Sequence, residues 1–443
     1  MTELITVTAT ARQALAMGRN PTAEASIPTH RHVPGSVLRG ALAAAWLAEN
    51  GEPEPGRPGR ARIPAARRAE FAEMFEGAIR FGPLLAPGSY VAPLSVRRCK
   101  YPKDPHCAAV AVDAAFLEEV SNRCPSCDGA LEAGRGEVEN LPANVLTETT
   151  RVRLTDGETA AEGMLFTRQA MQSTPGRALT LTGAIAAAHG DVPDWLKQPR
   201  RVLLGGRRST GGAADLATGH GRAEPAADGD GRIVMRLLSP AVLVDAAARP
   251  AREPDAGLLS EILGVPVTVA RSWTRVTTAG GWHAASNLPK STDLAVAAGS
   301  VFELLLPDGP PGADALRRLL LRGIGLRRAE GYGWIEIASE AWRLPASAGS
   351  ASSEADEDAA ARIAQVLFDS GEGRWLQDEL RRFLTAWHGG DRPAPYLLDR
   401  PHLEDALHDH AFRTELTRLL TSAPPGRLRR VIDALEVRVR GVR

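Results

Sequence analysis

Apolar and polar residues alternate from Leu4 to Thr10, with Ile5, Val7 and Ala9 on one side, and this period of two predicts a half-buried first strand. A loop through Asn20-Pro21 and Ile27-Pro28 follows. The spacing then becomes helical. Val37, Leu38, Ala41, Leu42, Ala45 and Trp46 form one apolar face, Ser36 is placed to cap its start, and Asn50-Gly51 ends it. Glu52 to Arg68, rich in Pro, Gly and Arg, reads as a loop, Phe71 to Arg80 as a short helix, and Tyr90 to Arg98 as a strand. Further strands are expected at Thr150 to Leu154 and Glu162 to Phe166, around the turn Asp156-Gly157, and at Ala178 to Ile185.

Gly231 restarts the pattern, because Ile233, Met235 and Leu237 alternate as Ile5 to Ala9 do. Strands are expected at Val265 to Ala270, Trp273 to Thr277 and Ser300 to Leu306, a helix at Asp314 to Arg322, and a closing strand at Trp334 to Ile337. Such runs suit small antiparallel sheets with helices on one face. The fold class predicted is α+β, with two ferredoxin-like, RRM-like domains over residues 1–230 and 231–345. Ala346 to Ala359 is small, Ser-rich and then acidic, which reads as a linker. Beyond it only helical spacing survives, at Ala360 to Phe368, Trp375 to Trp387, Leu403 to His408, Phe412 to Leu420 and Leu428 to Val437. Residues 360–443 are therefore expected to form a helical domain whose core includes Trp375, Leu376, Leu380, Phe383 and Leu384.

With 443 residues the chain can bury two or three cores. Its formal net charge is zero, which argues against indiscriminate coating of nucleic acid but leaves room for a local basic groove. Lysine occurs only at Lys100, Lys103, Lys197 and Lys290, so the positive charge is almost all Arg. Arg forks suit phosphates and base faces, although genomic base composition would also produce an excess of Arg and Ala. No basic-then-apolar leader is visible, and no apolar run approaches the roughly 18 residues of a membrane span. A cytoplasmic protein without membrane contact is expected.

All four cysteines fall between Cys99 and Cys127, in the order C-x7-C-x16-C-x2-C. The knuckle Cys124-Pro125-Ser126-Cys127 can aim two thiolates at one ion while Cys99 and Cys107 complete a tetrahedron, within an insertion at about 99–136. The cofactor expected is a structural Zn2+, since four sulfur ligands leave no open position. Two disulfides are the alternative pairing, and His106 is an alternative to Cys107 as ligand.

Two loops concentrate glycine and arginine. The first is Gly205-Gly206-Arg207-Arg208-Ser209-Thr210-Gly211-Gly212, and the second is Arg322-Gly323-Ile324-Gly325-Leu326-Arg327-Arg328-Ala329-Glu330-Gly331-Tyr332-Gly333. Glycine lets the backbone approach a ligand while Arg and hydroxyls meet phosphate. Neither loop is a P-loop, because no Lys-Ser/Thr follows at the required spacing. Arg39, in the first turn of the first helix, is placed to meet an anion together with free N–H groups. His30 and His32 lie between the first strand and first helix, where an imidazole could act as general base on a ribose hydroxyl.

Together, Val33-Pro34-Gly35-Ser36-Val37-Leu38-Arg39-Gly40-Ala41, Gly163-Met164-Leu165-Phe166, the two Gly/Arg loops, Gly281-Trp282, Leu288-Pro289-Lys290 and Ala298-Gly299-Ser300 give the chain a family likeness. Over roughly residues 1–340 it resembles the RAMP superfamily of CRISPR effector proteins, and within it the type III subtype D subunit of the Csx-ten family. The resemblance implies a non-catalytic RNA-binding subunit that holds the 5′ handle of a CRISPR guide RNA. The partners it implies are the large subunit and RAMP backbone subunits, with target RNA reached indirectly. It assigns RNA contacts to Arg31, His32, Ser36, Arg39, Gly205, Gly206, Arg207, Arg208, Ser209, Thr210, Gly211, Lys290, Arg327 and Arg328, with base stacking by His32, Trp282 or Tyr332. Three competing functions remain: a guide-processing endoribonuclease using His30 or His32, a target-cutting subunit using Asp104 or Asp156 with a divalent ion, and a protein scaffold that scarcely touches RNA.

Overall fold

The computed structural model describes every residue except 1–2, 19–25, 57–60, 104–106, 108–109, 143, 158, 175, 206–211, 222–230, 284–287, 345–352, 371–372, 389–408, 422–424 and 442–443. The chain is a mixed α+β protein and divides into two compact units, Met1–Pro345 and Ala346–Arg443.

The first unit is built on two antiparallel sheets. The first contains β1 (Leu4–Ala11), β2 (Ile79–Phe81), β3 (Thr180–Ala187), β4 (Arg200–Leu204) and β5 (Gly212–His220), in the order β4-β5-β1-β3-β2. The second contains β6 (Arg232–Leu237), β7 (Thr268–Trp273), β8 (Val301–Leu305) and β9 (Ile335–Ala338), in the order β7-β8-β6-β9. The two orders match. β5-β1-β3-β2 in the first sheet repeats β9-β6-β8-β7 in the second, with β4 added at the edge.

The period of two in β1 has the expected result: Ile5, Val7, Ala9 and Ala11 point into the core, and Ile5 pairs with Ile185 and Ala9 with Leu181. Helix α1 (Gly35–Asn50) lays Leu38, Ala41, Leu42 and Trp46 over this face, and α2 (Arg68–Phe75) adds Phe71, Met74 and Phe75. Burying each of these larger side chains is worth about 1.5–3 kcal/mol. On the second sheet, Leu259, Ile262 and Leu263 of α3 (Ala256–Leu263) and Leu316 and Leu319 of α4 (Ala313–Arg322) cover Ile233, Met235, Phe302 and Leu304.

Several elements differ from the sequence expectation: the strand expected at Tyr90 to Arg98 is split into Tyr90–Val91 and Val96–Cys99, and the one expected at Trp273 to Thr277 is divided between the end of β7 and a separate strand, Val276–Ala279. The helix expected at Phe71 to Arg80 stops at Phe75 and gives way, past Gly77, to the buried strand β2. Ser36 does not cap α1, because the helix starts at Gly35 and Pro34 stands at the cap position without a side-chain hydrogen bond. The acidic half of the expected linker is the start of α5 (Ser353–Asp369). Helix α3 is not among the elements expected from the apolar spacing; Asp255 caps its start, accepting from Leu258 N–H at 2.7 Å, and Gly264 ends it at φ 72°.

The insertion is rooted on the second sheet. Asp113, with its side chain buried, accepts from Ser95 at 2.6 Å and from Arg236 at 2.9 Å, and Arg236 also reaches Glu336. Arg232 and Arg271 share Glu303 and donate to the Ala115 carbonyl. A long hairpin, Leu146–Leu154 with Ala160–Met171, extends from the same unit and pairs along one side with Ser26–Ile27.

In the second unit, α5, α6 (Gly373–His388), α7 (His410–Thr421) and α8 (Pro425–Gly441) enclose a separate core of Ile363, Leu367, Leu376, Leu380, Phe383, Leu416, Leu420, Val431 and Leu435. The expected segment Leu403 to His408 lies outside the described residues. No helix among the described residues is long and apolar enough to cross a membrane.

One buried cation ties the two sheets together. Arg80 of β2 donates to the carbonyls of Leu320 (3.1 Å), Leu321 (2.7 Å) and Gly333 (3.1 Å), and its guanidinium lies 4.7 Å from the centre of the Trp334 ring. Leu320 and Leu321 are in the last turn of α4, whose carbonyls have no partner within the helix, so the first half of the unit caps a helix of the second. Arg80→Ala is expected to lower the unfolding free energy by about 3 kcal/mol or more, since it removes charge-assisted hydrogen bonds and strands buried carbonyls. Urea denaturation checks this, and an unchanged midpoint would show that α4 needs no such cap.

Candidate functional site

Residues nearly three hundred positions apart meet at the start of α1. A Cβ on Gly35 would stand 2.0 Å from the Phe81 carbonyl oxygen and 2.9 Å from Gly331 Cα. Conversely, a Cβ on Gly331, at φ 91°, would stand 2.7 Å from Gly35 Cα. Only glycine at both positions allows this approach. The Val33–Ala41 string and the second Gly/Arg loop therefore form one surface. The first turn of α1 carries no acidic residue and no side-chain cap of its own, so the carboxylate that acts most strongly there, on Arg39, is Glu330 of the second Gly/Arg loop.

Basic side chains gather around this point. Arg39 Nε donates to the Phe75 carbonyl at 2.6 Å, and burial lowers its pKa, with Glu330 and Glu76 partly opposing. Arg327, at φ 54°, donates to Glu330 (3.1 and 3.0 Å) and to Asp293 (2.8 Å). Its pKa is raised by the bond to Glu330, and Lys290 also donates to that carboxylate. Burial would raise the Glu330 pKa, but the Arg327 and Lys290 bonds outweigh it and bring it down to about 2. Arg328 is different. It is half-buried, its pKa is lowered by burial and then by Arg322, and it helps to depress Arg80, which burial brings to about 9. Arg328 thus faces the like charges of both Arg80 and Arg322.

The remaining predicted residues are distributed as follows. Arg31 and Ser36 are exposed, and the rings of His30 and His32 lie edge to face at 5.4 Å. Trp282 is 54 % exposed on a two-residue strand paired with Leu288-Pro289. Tyr332 is held in the fold: its hydroxyl donates to the Gly280 carbonyl at 3.0 Å, and Arg327 lies 5.1 Å from its ring centre. Gly205, at φ 147°, follows β4, whereas Gly206, Arg207, Arg208, Ser209, Thr210 and Gly211 lie outside the described residues. Asp156 sits exposed in the turn of the long hairpin, and Asp104 and His106 lie outside the described residues.

The four cysteines form a second centre. Their sulfurs all lie within 4.8 Å of one another, with Cys107 to Cys127 at 3.2 Å and both Cys99 to Cys127 and Cys107 to Cys124 at 3.6 Å. Such a donor set is compatible with a metal ion. Cys107 and Cys124 are buried, and burial pushes the Cys107 thiol up to about 12. Burial opposes ionisation of Cys124 as well, but N–H groups of Cys127 and Ser126 outweigh it and bring this thiol to about 7. The knuckle is tight: Asp128, at φ 56°, donates its N–H to the Cys124 carbonyl at 2.8 Å, and a Cβ on Gly129 would stand 3.1 Å from the Cys127 sulfur.

Pattern reading missed Arg80, Arg322 and Glu330 as members of the first centre. Arg80 fell in an expected helix. Glu330 was visible only as part of a loop string, with no signal that it would clamp Arg327 and Lys290.

A family model described as CRISPR-associated protein (Cas_Cmr3) matches residues 147–337. No curated protein matches the chain. Among solved structures, a chain in the cryo-EM structure of the Type III-B Cmr-beta bound to cognate target RNA is similar at 13% identity, covering 67% of this chain and 86% of that one, with a TM-score of 0.38. The product of a Cas6-related gene from Pyrococcus furiosus is similar at 9% identity, covering 77% and 100%, with a TM-score of 0.32. A RAMP protein binding different RNA substrates is similar at 8% identity, covering 76% and 99%, with a TM-score of 0.30.

Glu330 sets a pH dependence. Its pKa in the fold, about 2, is below the ordinary 4.5, so its stabilisation is complete above about 4.5 and fades as the pH falls toward 2. Glu330→Gln should therefore cost on the order of 2 kcal/mol at neutral pH and clearly less at about pH 3, measured by urea denaturation at both. An equal cost at both pH values would mean that the carboxylate is not held by its cations.

Proposed function

We propose, from the match of residues 147–337 to the CRISPR-associated (Cas_Cmr3) family model, that the chain is a non-catalytic, RNA-binding structural subunit of a type III effector ribonucleoprotein that holds the guide 5′ handle. One observation carries this reading. The Val33–Ala41 string, Lys290 and the second Gly/Arg loop, far apart in sequence, converge on an uncapped helix start with Arg328 beside it and no carboxylate in the first turn. Helix N–H groups and Arg side chains together suit the phosphates of a single strand.

In this reading Arg31 and Arg328 meet the RNA backbone, and His32 and the exposed Trp282 stack on bases. Arg39, Arg327 and Lys290 shape the surface through Phe75, Asp293 and Glu330. Arg207, Arg208, Ser209 and Thr210 supply a second contact from the loop between β4 and β5. The shared strand order of the two sheets supports two ferredoxin-like domains, with the helical unit separate. Subtype D and the Csx-ten family are the narrower assignment that the quoted strings favour. The large subunit and RAMP backbone subunits are the neighbours, in the cytoplasm.

The cysteine centre fits a structural zinc. Zn–S bonds of about 2.3 Å in a tetrahedron place sulfurs roughly 3.8 Å apart, close to the spacing found. Cys99, Cys107, Cys124 and Cys127 would hold the ion and leave it no open position. Purified protein should contain one zinc per chain by elemental analysis, and Cys124→Ser should lose metal together with the fold of the insertion. A metal-free wild type with two disulfides would replace this reading.

The function is tested by binding of a CRISPR repeat RNA to wild type, Arg328→Ala and Arg207→Ala/Arg208→Ala at two salt concentrations, with products resolved on a gel. Intact RNA, bound more weakly by both variants and with a salt slope lowered by about one per Arg removed, is the expected result. Cut RNA that His30→Ala/His32→Ala leaves intact would make the protein a processing endoribonuclease. Assembly with partners that ignores both salt and RNA would make it a protein scaffold.

A further inference from the structure

Tyr101 is 70 % exposed, more than any other large apolar or aromatic residue among the described residues. The chain has only four tyrosines and four lysines, and Tyr101 stands between two of those lysines in Cys99-Lys100-Tyr101-Pro102-Lys103. Lys100, Tyr101, Pro102 and Lys103 are all exposed, and the Lys100 ammonium lies 5.3 Å from the Tyr101 ring centre.

This segment is not a slack loop. Lys100 N–H donates to the Ala130 carbonyl at 3.0 Å, Tyr101 N–H favours the Cys99 sulfur, and Lys103 N–H favours the Cys107 sulfur. The backbone is therefore held at Lys100 by the Ala130 carbonyl and at Tyr101 and Lys103 by two sulfurs, while Lys100, Tyr101 and Lys103 are exposed. No carboxylate occurs from Arg97 to Lys103. Asp104, next in the chain after Lys103, lies outside the described residues; among the described ones, Glu139 pairs with Arg98, Asp128 pairs with Arg123, and Glu132 stands across the strand pair from Arg98.

We propose that this tip is a further RNA contact, in which Tyr101 stacks on one unpaired base and Lys100 and Lys103 meet the flanking phosphates of a single strand. A rigid aromatic flanked by cations gives a stacking platform with little ordering cost, and stacking accepts any base. The occupant rests on the proposed function, but the residues are different: none belongs to the α1 surface or the Gly/Arg loops. The cysteine cluster serves here as the frame that keeps the ring extended.

The experiment uses the full chain with its metal content measured, and fluorescein-labelled oligouridine as the probe, followed by anisotropy at two salt concentrations. Tyr101→Ala should weaken binding roughly ten-fold, Tyr101→Trp should restore it, and Lys100→Ala/Lys103→Ala should lower the salt slope by about two. Metal content equal to wild type in each variant shows that the frame is intact. A 4-thiouridine strand should also cross-link to the peptide containing Tyr101. Wild-type affinity in Tyr101→Ala, with wild type binding RNA, would overturn this contact and leave the α1 surface standing. Absence of binding by wild type would overturn both.

Discussion

A single buried guanidinium holds the first unit in one piece. Arg80 has no carboxylate among its hydrogen-bond partners; its acceptors are the unpaired carbonyls at the end of α4 and the Gly333 carbonyl. Burying a cation in this way is tolerable because helix ends concentrate partial negative charge and because the Trp334 ring covers its face. The geometry leaves no room for side chains nearby. A Cβ at Gly323 would stand 2.2 Å from the Arg80 Nη2, and one at Gly82 would stand 3.2 Å from the Trp334 ring. The glycines of the second Gly/Arg loop thus serve the join between the sheets as well as any ligand.

The same join creates the site. Because β2 is pinned to α4, its carbonyl at Phe81 lies against Gly35, and the loop that follows α4 lies against the start of α1. Fold and surface are coupled at this point, since the Arg80 contacts and the Gly35–Gly331 approach share β2 and the loop after α4. Charge follows the same division. Arg327 and Lys290 spend their charge on Glu330, whereas Arg328 and Arg322 keep theirs. The surface is basic through the residues that have no carboxylate, not through the number of Arg in the loop.

The insertion obeys a second constraint. Its strands are short, Val96–Cys99, Ala111–Asp113 and Leu131–Ala133, and by themselves would bury little apolar surface. They are held at one end by the sulfur cluster and at the other by Ser95, Asp113 and Arg236 against the second sheet. A buried pair of this kind contributes specificity of docking more than stability. It explains how a small metal-compatible knuckle can hold an aromatic tip at a fixed place in the unit.

The sequence determined what depends on neighbours along the chain. Alternation set β1, β6 and β8, apolar spacing set α1, α4 and the helical unit, and the C-x2-C spacing identified the cysteine cluster before any geometry was known. These features rest on local periods of two and 3.6 residues and on a knuckle closed within a few residues. Tertiary structure decided the rest. Gly77 and the need for an edge partner on Thr180–Ala187 turned Phe71 to Arg80 into a helix and a strand, and contact with Gly331 moved the start of α1 ahead of Ser36. The roles of Arg80, Glu330 and Arg328 were not legible, because each depends on which carbonyl, carboxylate or cation the fold brings to it across as many as two hundred and fifty residues. Periodicity reports which side of an element is buried; it carries no record of the distant group that a buried charge will meet.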